Sequence, residues 1–228
     1  STFDVTSFLD TNKTLGTCAC WCGGFLAVSS GSDVLTIASN EVTKTISLHG
    51  DDITGLLYHD EHQVVMSTDK KGSIQFWDAS NEESAGETTS RGMVYESKTE
   101  TDLYALLKKK THAIAVCRCK NTFAFYGADH KIRIFYYSSG KCVVTLDERL
   151  SIYKDQDSIE WGRKMAIEKE IESESTVFAA GLGGKDPQRL SIQFDKSGDF
   201  IVIPSVVGIK VIVWKRRKMA GIVGKEDA

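Results

Sequence analysis

The chain is short of most features that would announce a function. No apolar run approaches the ~20 residues needed to span a bilayer, and the N-terminus, Ser1-Thr2-Phe3-Asp4, has no charged region ahead of an apolar core, so it is no secretory signal. Charge of one sign is not in excess: the net charge is −3 over 228 residues, so no strong basic field draws the chain to nucleic acid or to an anionic membrane. There is no G-x-S-x-G elbow, no H-E-x-x-H and no Walker loop, which removes the local signatures of serine hydrolases, zinc proteases and nucleotide-phosphate binding. The pair Gly181-x-Gly183 lacks the strand–helix setting of a phosphate fingerprint. The six cysteines, Cys18, Cys20, Cys22, Cys117, Cys119 and Cys142, contain no C-x-x-C knuckle. They read as small buried residues of strands and not as a metal site, and reduced thiols fit the cytosol or nucleus. No metal and no cofactor is expected.

What is present is repetition. Gly72-Ser73-Ile74-Gln75-Phe76-Trp77-Asp78 and Asp129-His130-Lys131-Ile132-Arg133-Ile134-Phe135 each run from a polar turn into an alternating strand ending in an aromatic. Around them, short β patterns fall into sets of four. The first set is 17–22, 25–29, 34–38 and 43–48. The second is 53–58, 63–67, 73–77 and 93–96. The third is 113–118, 122–126, 131–136 and 141–146, with Ser138-Ser139-Gly140 as a hairpin turn. The fourth is 190–194, 200–203, 208–213 and 219–223, opened by Asp195-Lys196-Ser197-Gly198-Asp199, strong turn chemistry.

Four antiparallel strands per set is the blade of a β-propeller. The expectation is an all-β, WD-repeat propeller segment with about four blades present, part of a larger seven- or eight-bladed ring. The stretch 3–9 reads as the last strand of an earlier blade. Third strands aligned on Ile74, Ile132 and Ile209 lie 58 and 77 residues apart. A plain blade repeat is ~40–45 residues, so the surplus predicts insertions. Two helical ones are expected, near 98–110 with Thr101-Asp102 as its cap and at 159–173, together with loops at 81–91 and 175–188.

WD-type blades often hold a hydrogen-bonded set of loop His, strand Ser/Thr, turn Asp and strand Trp, because buried polar groups must find partners. His112 and Asp129 serve the third set, with Phe135 at the Trp position. The second set has Trp77, but Lys71 stands at the offset expected for Asp and Asp69 lies two residues too early. The fourth has Ile212 and Val206 at the two places. On this count no blade is complete. His49, Trp77, His112, Asp129 and Phe135 are expected to be structural, and no catalytic residue is assigned. Trp161, Arg163 and Lys164 on the second insertion are candidate partner-docking residues, one aromatic among mixed charges. Lys215-Arg216-Arg217-Lys218 reads as a solvated hairpin turn, with nuclear import or phosphate contact as the alternative. Lys108-Lys109-Lys110 reads as a solvated helix end.

Five segments carry a family resemblance. They are Ser67-Thr68-Asp69-Lys70-Lys71-Gly72-Ser73-Ile74, Lys98-Thr99-Glu100-Thr101-Asp102-Leu103-Tyr104, Lys131-Ile132-Arg133-Ile134-Phe135, Glu160-Trp161-Gly162-Arg163-Lys164-Met165-Ala166-Ile167-Glu168-Lys169-Glu170, and Phe194-Asp195-Lys196-Ser197-Gly198 with Gly208-Ile209-Lys210-Val211-Ile212. In order and spacing, from about 54 to 224, the chain resembles the WD-repeat portion of the cyclophilin-linked, spliceosome-associated WD-repeat family, the peptidylprolyl isomerase domain and WD repeat-containing proteins. The resemblance implies a nuclear, protein-binding scaffold whose partners are other proteins, spliceosome components among them, with no sequence-specific nucleic-acid contact and no membrane. It implies blades upstream of Ser1 and a separate C-terminal cyclophilin domain absent from this chain, so the chain itself is expected not to be an enzyme. A generic WD-repeat adaptor, such as a ubiquitin-ligase substrate receptor, is the alternative. The insertion at 159–173 speaks against it.

Overall fold

The computed structural model describes residues 16, 18–39, 41–78, 91–149, 191–205 and 208–224. Among them the chain is nearly all β, with four antiparallel sheets and almost no helix. Two compact units share the strands. One comprises Ser1–Ala113 with Ser138–Gly140, the other Ile114–Tyr137 with Lys141–Ala228.

In the first unit, β1 (Ala19–Trp21), β2 (Leu26–Ser30), β3 (Asp33–Ala38) and β4 (Glu41–Ser47) form a meander in chain order. A second sheet holds β5 (Ile53–His59), β6 (Val64–Asp69) and β7 (Ile74–Trp77), also in order. Strand β6 is buried at every position, as a central strand covered on both faces must be. That explains why Val64-Val65-Met66 runs apolar without alternating. Val65 packs with Cys22, Ala27, Val34, Ile46, Ile53, Leu56 and Trp77 into one cluster. Burying each of these aliphatic side chains contributes roughly 1.5–3 kcal/mol.

The second unit contains two four-stranded sheets. One is β8 (Ala113–Cys119), β9 (Thr122–Gly127), β10 (Lys131–Tyr136) and β11 (Cys142–Asp147). The other is β12 (Gln193–Phe194), β13 (Phe200–Ser205), β14 (Gly208–Val213) and β15 (Lys218–Val223). Their inner residues, among them Ala124, Ile132, Ile134, Ile201, Ile212 and Trp214, build its core. The turn before β13 forms as its chemistry predicts. The Asp195 carboxylate accepts from the backbone N–H groups of Ser197, Gly198 and Phe200 and from the Ser197 hydroxyl. Those bonds, the Ser197 hydroxyl first, hold its pKa down to about 2. Trp214 donates its indole N–H to the Gly198 carbonyl at 2.8 Å and fixes the turn from below.

Some expectations are corrected. Residues 93–96 form no strand. The helical insertion at 98–110 shrinks to a 3₁₀ turn, Lys98–Glu100, and a single α turn, α1 (Ala105–Lys108). The reason is local. Thr101 is extended, and its hydroxyl donates to the Lys98 carbonyl and accepts from Leu103 N–H, closing a side-chain turn where a helix would have to continue. Lys110, at φ 51, ends the segment. The turn expected at Lys215-Arg216-Arg217-Lys218 does form: the exposed Lys215, Arg216 and Arg217 connect β14 to β15, which Lys218 opens, with Arg217 left-handed and Lys215 bonded to Asp199 at 2.6 Å. The strand at 3–9, the loop at 81–91 apart from its last residue Arg91, the loop at 175–188 and the helix at 159–173 lie outside the described residues.

The turn from β6 to β7 depends on one glycine. Gly72 has φ +85, and a Cβ there would stand 2.2 Å from the Thr111 carbonyl oxygen, a backbone atom that cannot swing aside. Gly72→Ala is expected to destabilise by more than ~1 kcal/mol, read as a lower denaturant midpoint at unchanged m-value. An unchanged midpoint would remove the steric argument.

Candidate functional site

The chemically richest place in the first unit is a chain of four side chains. His49 stands in the loop before β5. Ser67 and Asp69 stand two residues apart on β6, and so on one face of it. Trp77 ends β7. His49 Nδ1 lies 3.0 Å from Asp69 Oδ2, and His49 Nε2 lies 2.6 Å from Ser67 Oγ. The Trp77 indole N–H donates to Ser67 Oγ at 3.1 Å. Trp77 can only donate and a carboxylate can only accept. The order therefore runs Trp77 to Ser67 to His49 to Asp69, with the histidine proton on Nδ1. Asp69 Oδ1 also accepts the Ser73 N–H at 2.8 Å, tying the network to the Gly72 turn.

Ser–His–Asp in series is the connectivity of a nucleophilic triad. Here it is sealed. The His49 and Asp69 side chains are 0% and 2% exposed, and Ser67 and Trp77 are fully buried. The Ser67 oxygen already receives the indole proton, so the network ties β6 and β7 to the loop before β5 and presents no face to a substrate. Burial pushes the His49 pKa down, against the pull of Asp69, which keeps the ring neutral.

The sequence count put Lys71 where Asp was required. The structure corrects it: the carboxylate comes from Asp69, at the end of the strand, and Trp77 belongs to a complete set. The signal was the Ser67-x-Asp69 pair ahead of a long turn, which a fixed offset passes over.

The third strand set is built differently. At the position of Ser67 it has Phe125, and at that of Trp77 it has Phe135; Phe125 pairs with Arg133 across the strands, as Ser67 does with Gln75. Phe123 and Phe135 stack at 5.3 Å with their planes 3° apart, and Phe125 meets Phe135 edge-on at 5.5 Å. An aromatic trio thus replaces the polar chain. Asp129 does not wait for a histidine. It forms a bidentate pair with Arg133, at 2.9 and 2.5 Å. Burial works against ionisation of Asp129, but the Arg133 hydrogen bonds and charge hold its carboxyl below the usual range. His112 is half-buried, and its pKa is lowered by burial and by Lys70, against Asp51 and Asp69.

A second buried ion pair joins Lys210 on β14 to Glu148 after β11, at 3.4 Å. On the cysteine-rich strand, the Sγ atoms of Cys20 and Cys22 are 3.6 Å apart, and all six cysteines are thiols. Among the described residues no group of three or more His, Cys, Asp or Glu side chains is arranged to hold a metal ion, and no helix is long and apolar enough to cross a membrane. The docking candidates Trp161, Arg163 and Lys164 lie outside the described residues.

No protein-family model matches the chain. It is 30% identical over 189 residues to the human peptidylprolyl isomerase domain and WD repeat-containing protein 1, a match that takes in 79% of this chain and 27% of that protein. It is 28% identical over 202 residues to the peptidyl-prolyl cis-trans isomerase CYP71 of Arabidopsis thaliana, 83% of this chain and 30% of that protein. To peptidyl-prolyl cis-trans isomerase 9 of Schizosaccharomyces pombe it is 26% identical over 228 residues. The chain thus spans about a third or less of these curated relatives. Among solved structures, the computationally designed Ika8 protein superposes with a TM-score of 0.54 at 12% identity, over 93% of this chain and 50% of that one. That likeness concerns the fold alone. The names of the relatives correct one expectation. The sequence alone argues against an enzyme, yet proteins matched over most of the chain's length carry peptidyl-prolyl isomerase in their names, which overturns that exclusion.

Proposed function

We propose that the chain forms WD-type β-propeller blades that act as a protein-binding scaffold in a nuclear pre-mRNA splicing assembly, within a protein of the peptidyl-prolyl isomerase class. The observation that carries the reading is the sealed chain of His49, Ser67, Asp69 and Trp77. It spends four chemically capable side chains on holding consecutive antiparallel strands together, as a platform requires. Three sheets of four strands in simple meander order support blades, and so does the relative named for its WD repeats. The partners are other proteins, spliceosome components first. Direct sequence-specific nucleic-acid contact is not part of the reading, nor is a membrane or a cofactor.

The test is affinity capture from nuclear extract with quantitative mass spectrometry. Splicing proteins should be enriched. Trp161→Ala combined with charge reversal at Arg163 and Lys164 should lower their recovery about ten-fold or more, the effect of losing an anchor residue. Unchanged recovery would sink the docking role, and enrichment of ubiquitin-ligase subunits instead would favour a general adaptor. The same preparation is assayed for prolyl isomerisation. Acceleration would assign that activity to this segment, and an unchanged rate would assign it to the remaining length of such proteins.

A further inference from the structure

Cys18, Cys20 and Cys22 alternate with Ala19 and Trp21. On an extended strand that spacing puts all three thiols on one face. All three join the core cluster of the first unit, Cys22 as a buried member and Cys18 and Cys20 partly buried against it. The Cys20 and Cys22 sulfurs stand 3.6 Å apart. Small apolar residues would fill this place equally well. Touching thiols add a chemistry that packing does not ask for.

The geometry points to Cys20 and Cys22 as a reversible dithiol modification site that closes into a disulfide when it meets a hydroperoxide. Two residues of strand span about 6.4–6.8 Å, at the upper end of the Cα separations that a disulfide bridges. The sulfurs must close from 3.6 Å to about 2.05 Å. The slack lies just beyond them. Cys22 is followed by Gly23 at φ +78 and by Gly24, where a Cβ would meet nothing within 4 Å. The return is a tight turn held by Cys22 N–H to the Phe25 carbonyl at 2.9 Å. Such a turn can yield without disturbing β2. Cys20 is partly exposed; Cys22 is buried, but Trp21 before it and Gly23 and Gly24 after it are exposed, so a small oxidant reaches the Cys22 sulfur when this edge turn opens.

The two thiols are not equivalent. The hydrogen bond between them raises the Cys20 pKa and lowers that of Cys22, so Cys22 is the first to ionise. Its thiolate attacks one peroxide oxygen. The O–O bond breaks, Cys22 becomes a sulfenic acid, and the other oxygen leaves as water or alcohol after taking a proton. Cys20 then attacks the Cys22 sulfur, the S–O bond breaks, and the Cys20 proton leaves with the hydroxyl as water. Two thiols are oxidised by two electrons and the hydroperoxide is reduced by the same two. A dithiol reductant reverses the product.

The experiment is differential alkylation of the whole chain after graded hydrogen peroxide. Residues 14–44 form one tryptic peptide holding Cys18, Cys20 and Cys22 and no other cysteine. Cys117 is the inert comparator, its thiol pushed up to about 12 by burial. The expected product is this peptide two hydrogens lighter, with Cys20 and Cys22 protected from alkylation and Cys18 still alkylated, forming about ten-fold or more faster than oxidation at Cys117. Dithiothreitol should restore both sites. Cys20→Ser should leave Cys22 trappable by dimedone as its sulfenic acid. Full alkylation of Cys20 and Cys22 at doses that already oxidise Cys117 would overturn the proposal, as would a disulfide mapped to Cys18.

Discussion

Trp77→Ala is expected to cost about 3–5 kcal/mol of unfolding free energy, the range for removing a large buried aromatic. Trp77 is fully buried among Val65, Ile53 and Leu56, so the lost contacts leave a cavity that strands buried on both faces cannot collapse into. The variant also takes away the N–H that Ser67 accepts. Against a typical total of 5–15 kcal/mol, a large share of the unit's stability would go. Trp77→Phe separates the two contributions. It keeps most of the volume and loses the hydrogen bond with a small part of the ring, so it should cost nearer ~1–2 kcal/mol. Urea titration checks both. If Trp77→Phe proved as damaging as Trp77→Ala, the packing account would be wrong. A double-mutant cycle on His49 and Asp69 should give a coupling of about 0.5–3 kcal/mol, because each leaves the other's buried group stranded.

Asp129→Ala is expected to cost about 3 kcal/mol, at the lower end for breaking a buried pair by removing one partner. The Arg133 side chain is 1% exposed, while Asp129 keeps 30% of its surface in solvent, which screens part of the effect. Arg133 has little reserve: its Nε is buried with no hydrogen-bond acceptor among the described residues. Remove the carboxylate and the guanidinium has nowhere to go. Adding Arg133→Met to Asp129→Ala should recover most of the loss, since an apolar side chain of similar length belongs beside Phe125 and the cost of the stranded charge disappears. The measurement is again equilibrium denaturation. If the double variant were as unstable as Asp129→Ala alone, the buried cation would not be the cause.

Much of the architecture is legible in the residues. Alternating runs bounded by Gly, Ser, Asn and Asp turns locate the strands, and β10 and β14 match their predicted bounds residue for residue. Two kinds of statement failed, for different reasons. The helix at 98–110 failed because Thr101 can satisfy backbone groups on both sides of itself, a competition that apolar periodicity does not register. The polar set around Trp77 was missed because it was sought at a fixed count along the chain. What builds it is reach through space: a carboxylate two residues before Lys71 comes to the same place when the turn is longer. The stacked phenylalanines were equally readable only in part. Phe135 was recognised as the stand-in for Trp, but the matching change of Ser to Phe125 requires knowing the register of β9 against β10.

The exchange of a polar chain for three phenylalanines gives the two units different sensitivities to acid. His49 is neutral when folded because burial holds its pKa below the ordinary ~6.5 of an unfolded chain. Below that value the unfolded chain binds a proton that the folded one refuses, so each step down in pH favours unfolding until the folded ring itself titrates. His112, depressed in the same direction, adds to the slope. Both residues belong to the first unit. Where the second unit has Phe123, Phe125 and Phe135, there is nothing to protonate. Mild acidification should therefore loosen the sheet of β5, β6 and β7 while the phenylalanine-centred sheet holds. In amide exchange followed from neutral to mildly acid pH and corrected for intrinsic rates, protection should fall first in 53–77 and only later in 122–136. His49→Gln should flatten that difference. The place where the repeat departs from its own pattern is then also the place where one half of the protein gives up a histidine's sensitivity to mild acid, and its carboxylates Asp129 and Asp195 respond only at lower pH.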